Sequence, residues 1–220
     1  MRRFAISIIC LLGWFAPAQA ADHQILDHFI TMLTGEFESR QQMEEDLAAG
    51  VPDDKRHYWV NRTFQRVEAP EIGSHVLVGT TEYNAGRWMF DFNEFLVWNF
   101  EVDGEQIIMT PRRFKEQERK LPFAREAWKL AGIKTEHLEA AKGGASCPLV
   151  WIEVEGGFEG KSAGECKVMS TLRKKILDWQ WGYKLTKQSL FVEFNGRDET
   201  GASLDGTEGM APYRLDRISD

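Results

Sequence analysis

The sequence is poor in cysteine and histidine and lacks the common catalytic fingerprints. Its 220 residues include three cysteines and five histidines, and the histidines are scattered at positions 23, 28, 57, 75 and 137. No Cys-x-x-Cys pair provides the ligand spacing of a zinc site. A phosphate loop, a Gly-x-Gly-x-x-Gly fingerprint, a His-Glu-x-x-His motif and a Gly-x-Ser-x-Gly elbow are also missing. The sequence therefore predicts neither a metal nor a nucleotide cofactor.

Positive charge is also scarce. Lysine and arginine number 27 against 34 aspartates and glutamates, which gives a formal net charge of −7. Because nucleic-acid phosphates are bound through clustered Lys and Arg, this balance argues against a nucleic-acid partner. Eight Trp and 14 Phe are too many for a disordered chain. The composition predicts one folded, aromatic-rich, acidic domain.

The first 20 residues have the layout of a cleaved secretory signal. Arg2 and Arg3 precede an uncharged apolar stretch from Phe4 to Phe15, and Ala18-x-Ala20 forms a small-x-small cleavage site. The alternative is a membrane anchor, but the apolar stretch is shorter than the about 20 residues that span a bilayer. We therefore expect a mature domain over 21–220 that is periplasmic or secreted and has no stable membrane insertion after cleavage.

Two cysteines remain after such processing, because Cys10 is lost with the signal. In an oxidising compartment, Cys147 and Cys166 are most simply paired as a disulfide. The enclosed loop of about 19 residues corresponds to roughly 3 kcal/mol of stabilisation in the chain-entropy model. A nucleophilic or metal-binding thiol is the alternative.

The hydrophobic pattern predicts a mainly β fold. Asp22 can cap a helix that runs to about Leu33, and Phe37 to Met43 reads as a short strand. From His57 onward the period is two, with seven to nine antiparallel strands and a short helical interlude that covers Ala124 to Leu130 and a turn at Thr135. Gly156 to Gly160 reads as a turn. We expect a calyx-like antiparallel β-barrel, similar to a lipocalin, with a helix across one end.

Three of the predicted strands carry aromatic or charged residues on one face. These are Tyr58, Arg62, Phe64 and Arg66 on the first, Trp151 and Glu153 on the second, and Trp179 and Trp181 on the third. If the faces point inward, they form an aromatic wall suited to a flat or lipidic ligand. The alternatives are an ordinary aromatic core and ion pairs at the rim.

The second half of the chain resembles the CpcT/CpeT family of phycobiliprotein chromophore lyases. The resemblance depends on a set of residues spread over most of the predicted mature chain: Gly144-x-x-Cys147-Pro-Leu-Val, Phe158-x-Gly160, Gly164-x-Cys166, Leu190, Gly196-Arg197-Asp198, Gly201, Gly206 and Pro212-Tyr213-x-Leu215. The opening Leu33-Thr34-Gly35-Glu36-Phe37-Glu38-Ser39 with Gln42 is similar to the start of that family.

The resemblance implies a calyx-shaped barrel, often a homodimer, that holds a linear tetrapyrrole (bilin) and attaches it to a cysteine of a phycobiliprotein. An acid must protonate the bilin, basic groups must hold its propionates, and aromatic rings must stack on its pyrroles. The stretch around Glu82 and Tyr83 matches a family region that contains an acid and a tyrosine, which makes Glu82 the candidate catalytic acid and Tyr83 a candidate ligand contact. Arg62 and Arg66 are the candidate carboxylate holders.

An export signal departs from this picture, because phycobiliproteins are modified in the cytosol. Three interpretations therefore remain open. The first is a chromophore lyase or a related tetrapyrrole-handling protein. The second is a lipocalin-like periplasmic binder of a small apolar or amphipathic ligand that carries out no catalysis. The third is a barrel packed solid with side chains.

Overall fold

The computed structural model describes residues 18–84, 92–115, 133–141, 146–170 and 173–219, and side chains within these ranges except 18–22, 84 and 92–94. The predicted signal over 1–20 lies almost wholly outside these ranges, and the helix predicted from Ala124 to Leu130 lies outside them entirely. Within the described ranges there are two α-helices, α1 (Ala18–Leu33) and α2 (Arg40–Ala48), and a 3-10 turn (Thr135–His137). Within the described ranges no helix is long and apolar enough to cross a membrane.

The described residues form 13 strands, all paired antiparallel. They are β1 (Gly35–Glu38), β2 (Trp59–Val67), β3 (Val76–Asn84), β4 (Phe92–Asp103), β5 (Gln106–Phe114), β6 (Leu138–Ala140), β7 (Leu149–Val154), β8 (Gly157–Ser162), β9 (Lys167–Ser170), β10 (Lys175–Thr186), β11 (Ser189–Arg197), β12 (Ser203–Gly206) and β13 (Tyr213–Ser219).

Ten of these strands close into a barrel. The order is β11-β13-β1-β2-β3-β4-β5-β7-β8-β10, and pairing of β10 with β11 completes the ring. Strands β6, β9 and β12 extend β5, β10 and β11 beyond the ring. The predicted antiparallel barrel is confirmed. The predicted count of seven to nine strands was too low, because β8 is glycine-rich and β6 and β12 have only three and four residues.

Helix α1 covers one end of the barrel, which we call the closed end. Phe29 is fully buried there, with ring-centroid distances of 4.9 Å to Trp151, 5.0 Å to Phe158 and 5.9 Å to Phe100. Arg217 secures the end of the helix, because its guanidinium donates to the carbonyls of Met32 and Thr34. Cations stabilise a helix C-terminus by satisfying its last carbonyl groups.

The opposite end, which we call the open end, is where β2 and β13 begin and β11 ends. Helix α2 packs beside it, where a short strand to Met43 was predicted; that prediction was wrong beyond Glu38. Gln42 holds the helix in place, because its side chain forms hydrogen bonds with the backbone of Pro212 and Arg214, which are about 170 residues away in sequence. Tertiary contacts of this kind override a short local pattern.

A second cluster of buried side chains lies outside the barrel wall. It fills the space between the outer face of β3 to β5 and the segments that precede β3 and β6, and its members are Ala69, Val76, Val78, Val97, Phe114, Ile133 and Leu138. The outer face of these strands is therefore apolar. As a result, an apolar side chain on β3, β4 or β5 does not by itself show which face of the strand points into the barrel.

Candidate ligand-binding site

Arg62 is a buried cation on the inner face of the barrel. Its side chain lies on β2, and its Nη1 donates to the hydroxyl of Tyr183 at 3.4 Å. The guanidinium lies 5.7 Å from the centre of the Tyr183 ring. Among the described residues no carboxylate forms an ion pair with Arg62, and its Nε has no hydrogen-bond partner. A buried charge without a counter-charge is expensive, so an anion at this position would be stabilised.

The surroundings keep Arg62 charged. Burial lowers the pKa of its guanidinium, but the nearby oxygens of Tyr183 and Tyr83 raise it by more, so the net pKa lies above the ordinary value. The residue is thus a permanent cation inside the barrel across the physiological pH range. A fixed positive charge of this kind is suited to a carboxylate, which a guanidinium can hold with two hydrogen bonds.

Five rings form one continuous inner wall, which we call the aromatic wall: Trp179, Trp181, Tyr183, Phe194 and Tyr213. Neighbouring rings along it have centroids 4.9–6.5 Å apart and interplanar angles of 15–28°. The strand register produces this arrangement, because Trp181 pairs with Phe194 and the inner positions of β10 alternate. All five rings are only partly buried, so they offer flat apolar faces to solvent or to a ligand.

A small cavity lies beside Arg62 and reaches the aromatic wall at Trp181 and Tyr183. Its volume is about 40 Å³, and its lining includes Arg62, Phe64, Thr81, Trp98, Cys147, Trp181 and Tyr183. A second cavity of about 10 Å³ lies beside it; Arg62 and Tyr183 line both, and Trp151 lines the second. Ligand pockets usually measure about 300–1,000 Å³, so these cavities accept one functional group, not a whole ligand. The remainder of a ligand would lie along the aromatic wall toward the open end.

Glycines on the inner face make room for the large rings. A Cβ built on Gly160 would lie 2.6 Å from the Trp151 ring, and one on Gly79 would lie 2.7 Å from Trp98 Nε1. The stretch from Gly156 to Gly160 was predicted to be a turn, but from Gly157 onward it is strand β8. The segment is a strand because it pairs with β7 on one side and β10 on the other, and position 160 is glycine because the Trp151 ring occupies the space of a side chain there.

The predicted disulfide between Cys147 and Cys166 is confirmed, and it lies at the cavity. Cys166 is joined to a strand of the aromatic wall, because its carbonyl accepts a hydrogen bond of 2.9 Å from the backbone N–H of Trp179. The bridge therefore ties one edge of the cavity to the strand that carries three of the five wall rings.

Several predicted contacts meet at this site. Arg62, Phe64 and Trp181 line the larger cavity, Trp151 lines the smaller one, and Trp179 belongs to the aromatic wall. The oxygen of Tyr83 acts on Arg62 from the neighbouring strand. Tyr58 is half-buried just before β2, where its hydroxyl donates to the Asp53 carbonyl at 3.4 Å. These placements locate the residues, and their roles in binding stay predictions.

Three other candidates lie elsewhere. Arg66 is exposed at the closed end, 3.7 Å from Asp27 of α1. Glu153 is also at that end and accepts a hydrogen bond of 2.9 Å from His28 Nδ1, so its partner is a rim histidine. Glu82 pairs in register with Asn61, while the inner residue Arg62 pairs with Thr81. Because alternate residues face opposite sides of a strand, Glu82 is on the outer face.

Sequence reasoning missed Tyr183, Thr81 and Trp98. Tyr183 could have been found, because it continues the alternation that joins Trp179 and Trp181. Thr81 and Trp98 gave no such signal, since inner and outer faces of β3 and β4 are both rich in apolar residues. No group of three His, Cys, Asp or Glu side chains within the described ranges is arranged to hold a metal ion.

Comparisons with known proteins identify a similar fold but no matching family. No protein-family model and no curated protein matches the sequence. The solved structure of the CRL protein of Arabidopsis matches with a TM-score of 0.57 and 15% identity, over 90% of this chain and 98% of that one. The T-type phycobiliprotein lyase CpeT from Prochlorococcus phage P-HM1 matches with a TM-score of 0.46 and 15% identity, over 88% and 97% of the two chains. The second superposition is too loose to support further conclusions.

At 15% identity, likeness to the CRL protein establishes a shared fold and not a shared activity. The predicted barrel fold is thereby found again in a solved structure that matches over most of both chains. The chain is a closed antiparallel β-barrel of this kind, with a helix over one end and an arginine and an aromatic wall inside the other.

Proposed function

We propose that this protein binds a planar organic molecule that carries a carboxylate, and that a bilin or similar tetrapyrrole is the ligand class to test first. The observation that carries the proposal is the buried Arg62 guanidinium, which has no carboxylate partner among the described residues. The ligand's carboxylate would enter the cavity beside Arg62, and its conjugated body would stack on the aromatic wall.

Binding is proposed ahead of covalent attachment. Bilin transfer to a cysteine needs an acid close to the chromophore, and the outward-facing position of Glu82 does not suit that role. A carrier or binder requires only the cation and the rings. Lyase activity is the alternative, and it would be recognised by an acid-stable coloured adduct on an acceptor protein.

Export is part of the proposal. If residues 1–20 are removed, the mature chain begins inside α1 and retains Phe29 and the rest of its buried face. The disulfide fits an oxidising compartment, where such bonds persist. Fractionation of cells that produce the full chain, with N-terminal sequencing of the exported product, would test this; an intact N-terminus in the cytosol would contradict it.

The function is tested by titrating purified residues 21–220 with biliverdin while recording absorbance and tryptophan fluorescence. We expect a sharpened, red-shifted bilin band and quenching by the wall tryptophans. Arg62→Met should abolish or strongly weaken both signals. The matched control is Arg66→Met, which removes an exposed arginine from the same face of β2 and should leave affinity unchanged.

Two further outcomes would overturn the bilin proposal. Binding of the fluorescent polyene fatty acid cis-parinaric acid, with no response to biliverdin, would favour the lipocalin-like interpretation. No response to either ligand at high micromolar concentration would indicate a barrel that is packed with side chains.

A further inference from the structure

The barrel interior holds a second unpaired donor close to Arg62. Trp151 has only 1% of its surface exposed, and its indole Nε1 is buried without a hydrogen-bond partner among the described residues. Burying an N–H group without a partner is unfavourable, and most buried polar groups in folded proteins have a hydrogen-bond partner. This donor therefore calls for an explanation.

Trp151 and Arg62 share a cavity. Both line the smaller cavity, and Arg62 also lines the larger one beside it. Tyr183 links them physically, because its ring lies 5.4 Å from the Trp151 ring and 5.7 Å from the Arg62 guanidinium. The two unpaired N–H groups, Arg62 Nε and Trp151 Nε1, thus belong to neighbouring side chains that line the same cavity.

The Trp151 ring is held firmly in this position. Gly160 lies directly beneath it, and Phe29 of α1 packs against it with centroids 4.9 Å apart. Rotation of the indole toward another acceptor is blocked by these contacts. The indole of Trp151 is therefore held in one orientation beside the cavity that Arg62 also lines.

We propose that Trp151 is a specificity-determining residue whose indole N–H donates to the carboxylate that Arg62 binds. This inference rests on the proposed function and names the recognised group more closely: an unesterified carboxylate on a short alkyl arm, which offers several acceptor lone pairs and is narrow enough for the cavity. An amine would bring a positive charge beside Arg62, and an amide or an ester would lack the negative charge that the guanidinium binds. The pairing selects acid-bearing ligands over neutral analogues of the same shape.

The test compares biliverdin with biliverdin dimethyl ester as ligands of the wild type and of three variants. Trp151→Phe keeps an aromatic ring and removes the donor. Benzothienylalanine at position 151 keeps the shape of the indole and replaces the N–H by sulfur, so it controls for packing. Trp98→Phe is the matched control, since Trp98 lines both cavities while its indole nitrogen lies against Gly79.

We expect the wild type to prefer the acid over the ester. Both changes at position 151 should reduce affinity for the acid roughly three- to tenfold and leave affinity for the ester nearly unchanged. Trp98→Phe should alter both affinities equally. In proton–nitrogen NMR spectra, the indole N–H signal that Trp151→Phe removes should move downfield when the wild type binds the acid.

The outcomes separate this inference from the function on which it rests. If the wild type does not bind biliverdin, or Arg62→Met binds it unchanged, both are overturned. If Arg62→Met loses binding while both replacements of Trp151 keep the acid-to-ester preference, only the role of Trp151 is overturned. Loss with phenylalanine but not with benzothienylalanine would show that packing matters and would also overturn the proposed hydrogen bond.

Discussion

The two ends of the barrel are built from similar residues but are completed in different ways. At the closed end, α1 inserts Phe29, Ile30 and Leu33 among strand residues, and all three are essentially fully buried. At the open end, the five rings of the aromatic wall remain partly exposed, and Arg62 has no carboxylate partner among the described residues. The apolar side chains of the closed end are packed against one another, whereas the rings of the open end keep part of their surface exposed.

The connections between strands follow the same division. Tight hairpins at the closed end join β4 to β5, β7 to β8 and β10 to β11, with Gly104 and Gly156 at positive φ in the first two. At the open end, the links from β1 to β2 and from β11 to β13 are long and include α2 and β12. Stability and ligand binding should therefore respond to mutations at opposite ends.

The largest expected effect is on stability at the closed end. Phe29→Ala should lower the free energy of unfolding by roughly 3–5 kcal/mol, because it leaves a cavity between Trp151, Phe158 and Phe100. Urea unfolding followed by far-UV circular dichroism measures this. Phe194→Ala at the open end is the comparison and should lose clearly less, since that ring is already partly in water. Equal losses of unfolding free energy in the two variants would contradict the proposed difference in packing between the closed and open ends.

The disulfide is expected to stabilise the open end, where the side chains are less completely packed. Replacing both Cys147 and Cys166 by serine should lower the free energy of unfolding by about 3 kcal/mol. Hydrogen exchange should rise most in β9 and β10, next to the bridge. A uniform rise that includes α1 would contradict a local role, and reduction of the wild type should reproduce the variant.

A smaller effect is expected from pH at the mouth of the barrel. Burial raises the pKa of Tyr213 to about 12 from its ordinary 10, partly opposed by a hydrogen bond from the Tyr58 backbone. The unfolded chain thus releases this proton at lower pH than the folded chain. Stability from this group is complete below pH 10 and is lost as the pH rises from about 10 to about 12. Urea unfolding of Tyr213→Phe should lose less stability than the wild type in that window; an equal loss would contradict it.

The smallest expected effect is at the outer face. Glu82→Gln should leave biliverdin affinity within about twofold of the wild type, because Glu82 lies on the opposite side of β3 from Thr81 and the cavity. Fluorescence titration measures the affinity. A loss comparable with that of Arg62→Met would return Glu82 to the site.

The sequence predicted the barrel and the part of α1 up to Leu33 because their signals are local, whereas the helix begins at Ala18 and not after Asp22. Alternation along β2, β7 and β10 and the apolar stripe of α1 depend only on neighbours in the chain. The number of strands and the identity of β8 could not be predicted, because Gly160 is determined by Trp151 on another strand. Its glycines suggested a turn, but the segment pairs with β7 and β10 as a strand.

The candidate site was predicted in part for the same reason. Arg62, Phe64, Trp179 and Trp181 became candidates because their strands alternate clearly, and the structure places them at the cavity or in the aromatic wall. Glu153 lies on the same strand face as Trp151, as predicted. Its distance from the cavity could not be predicted, because it depends on the position of α1, whose His28 bonds Glu153 at the closed end. The outward position of Glu82 follows from its register with Asn61, which the sequence of one strand does not contain.

The most direct test of this account measures affinity and stability on the same variant, Arg62→Met. We predict that its dissociation constant for biliverdin rises by about one to two orders of magnitude, as for a lost charged hydrogen bond. Its free energy of unfolding should stay the same or increase, because an incompletely paired buried charge is removed. A marked loss of stability with unchanged affinity would contradict the account and make Arg62 a structural residue.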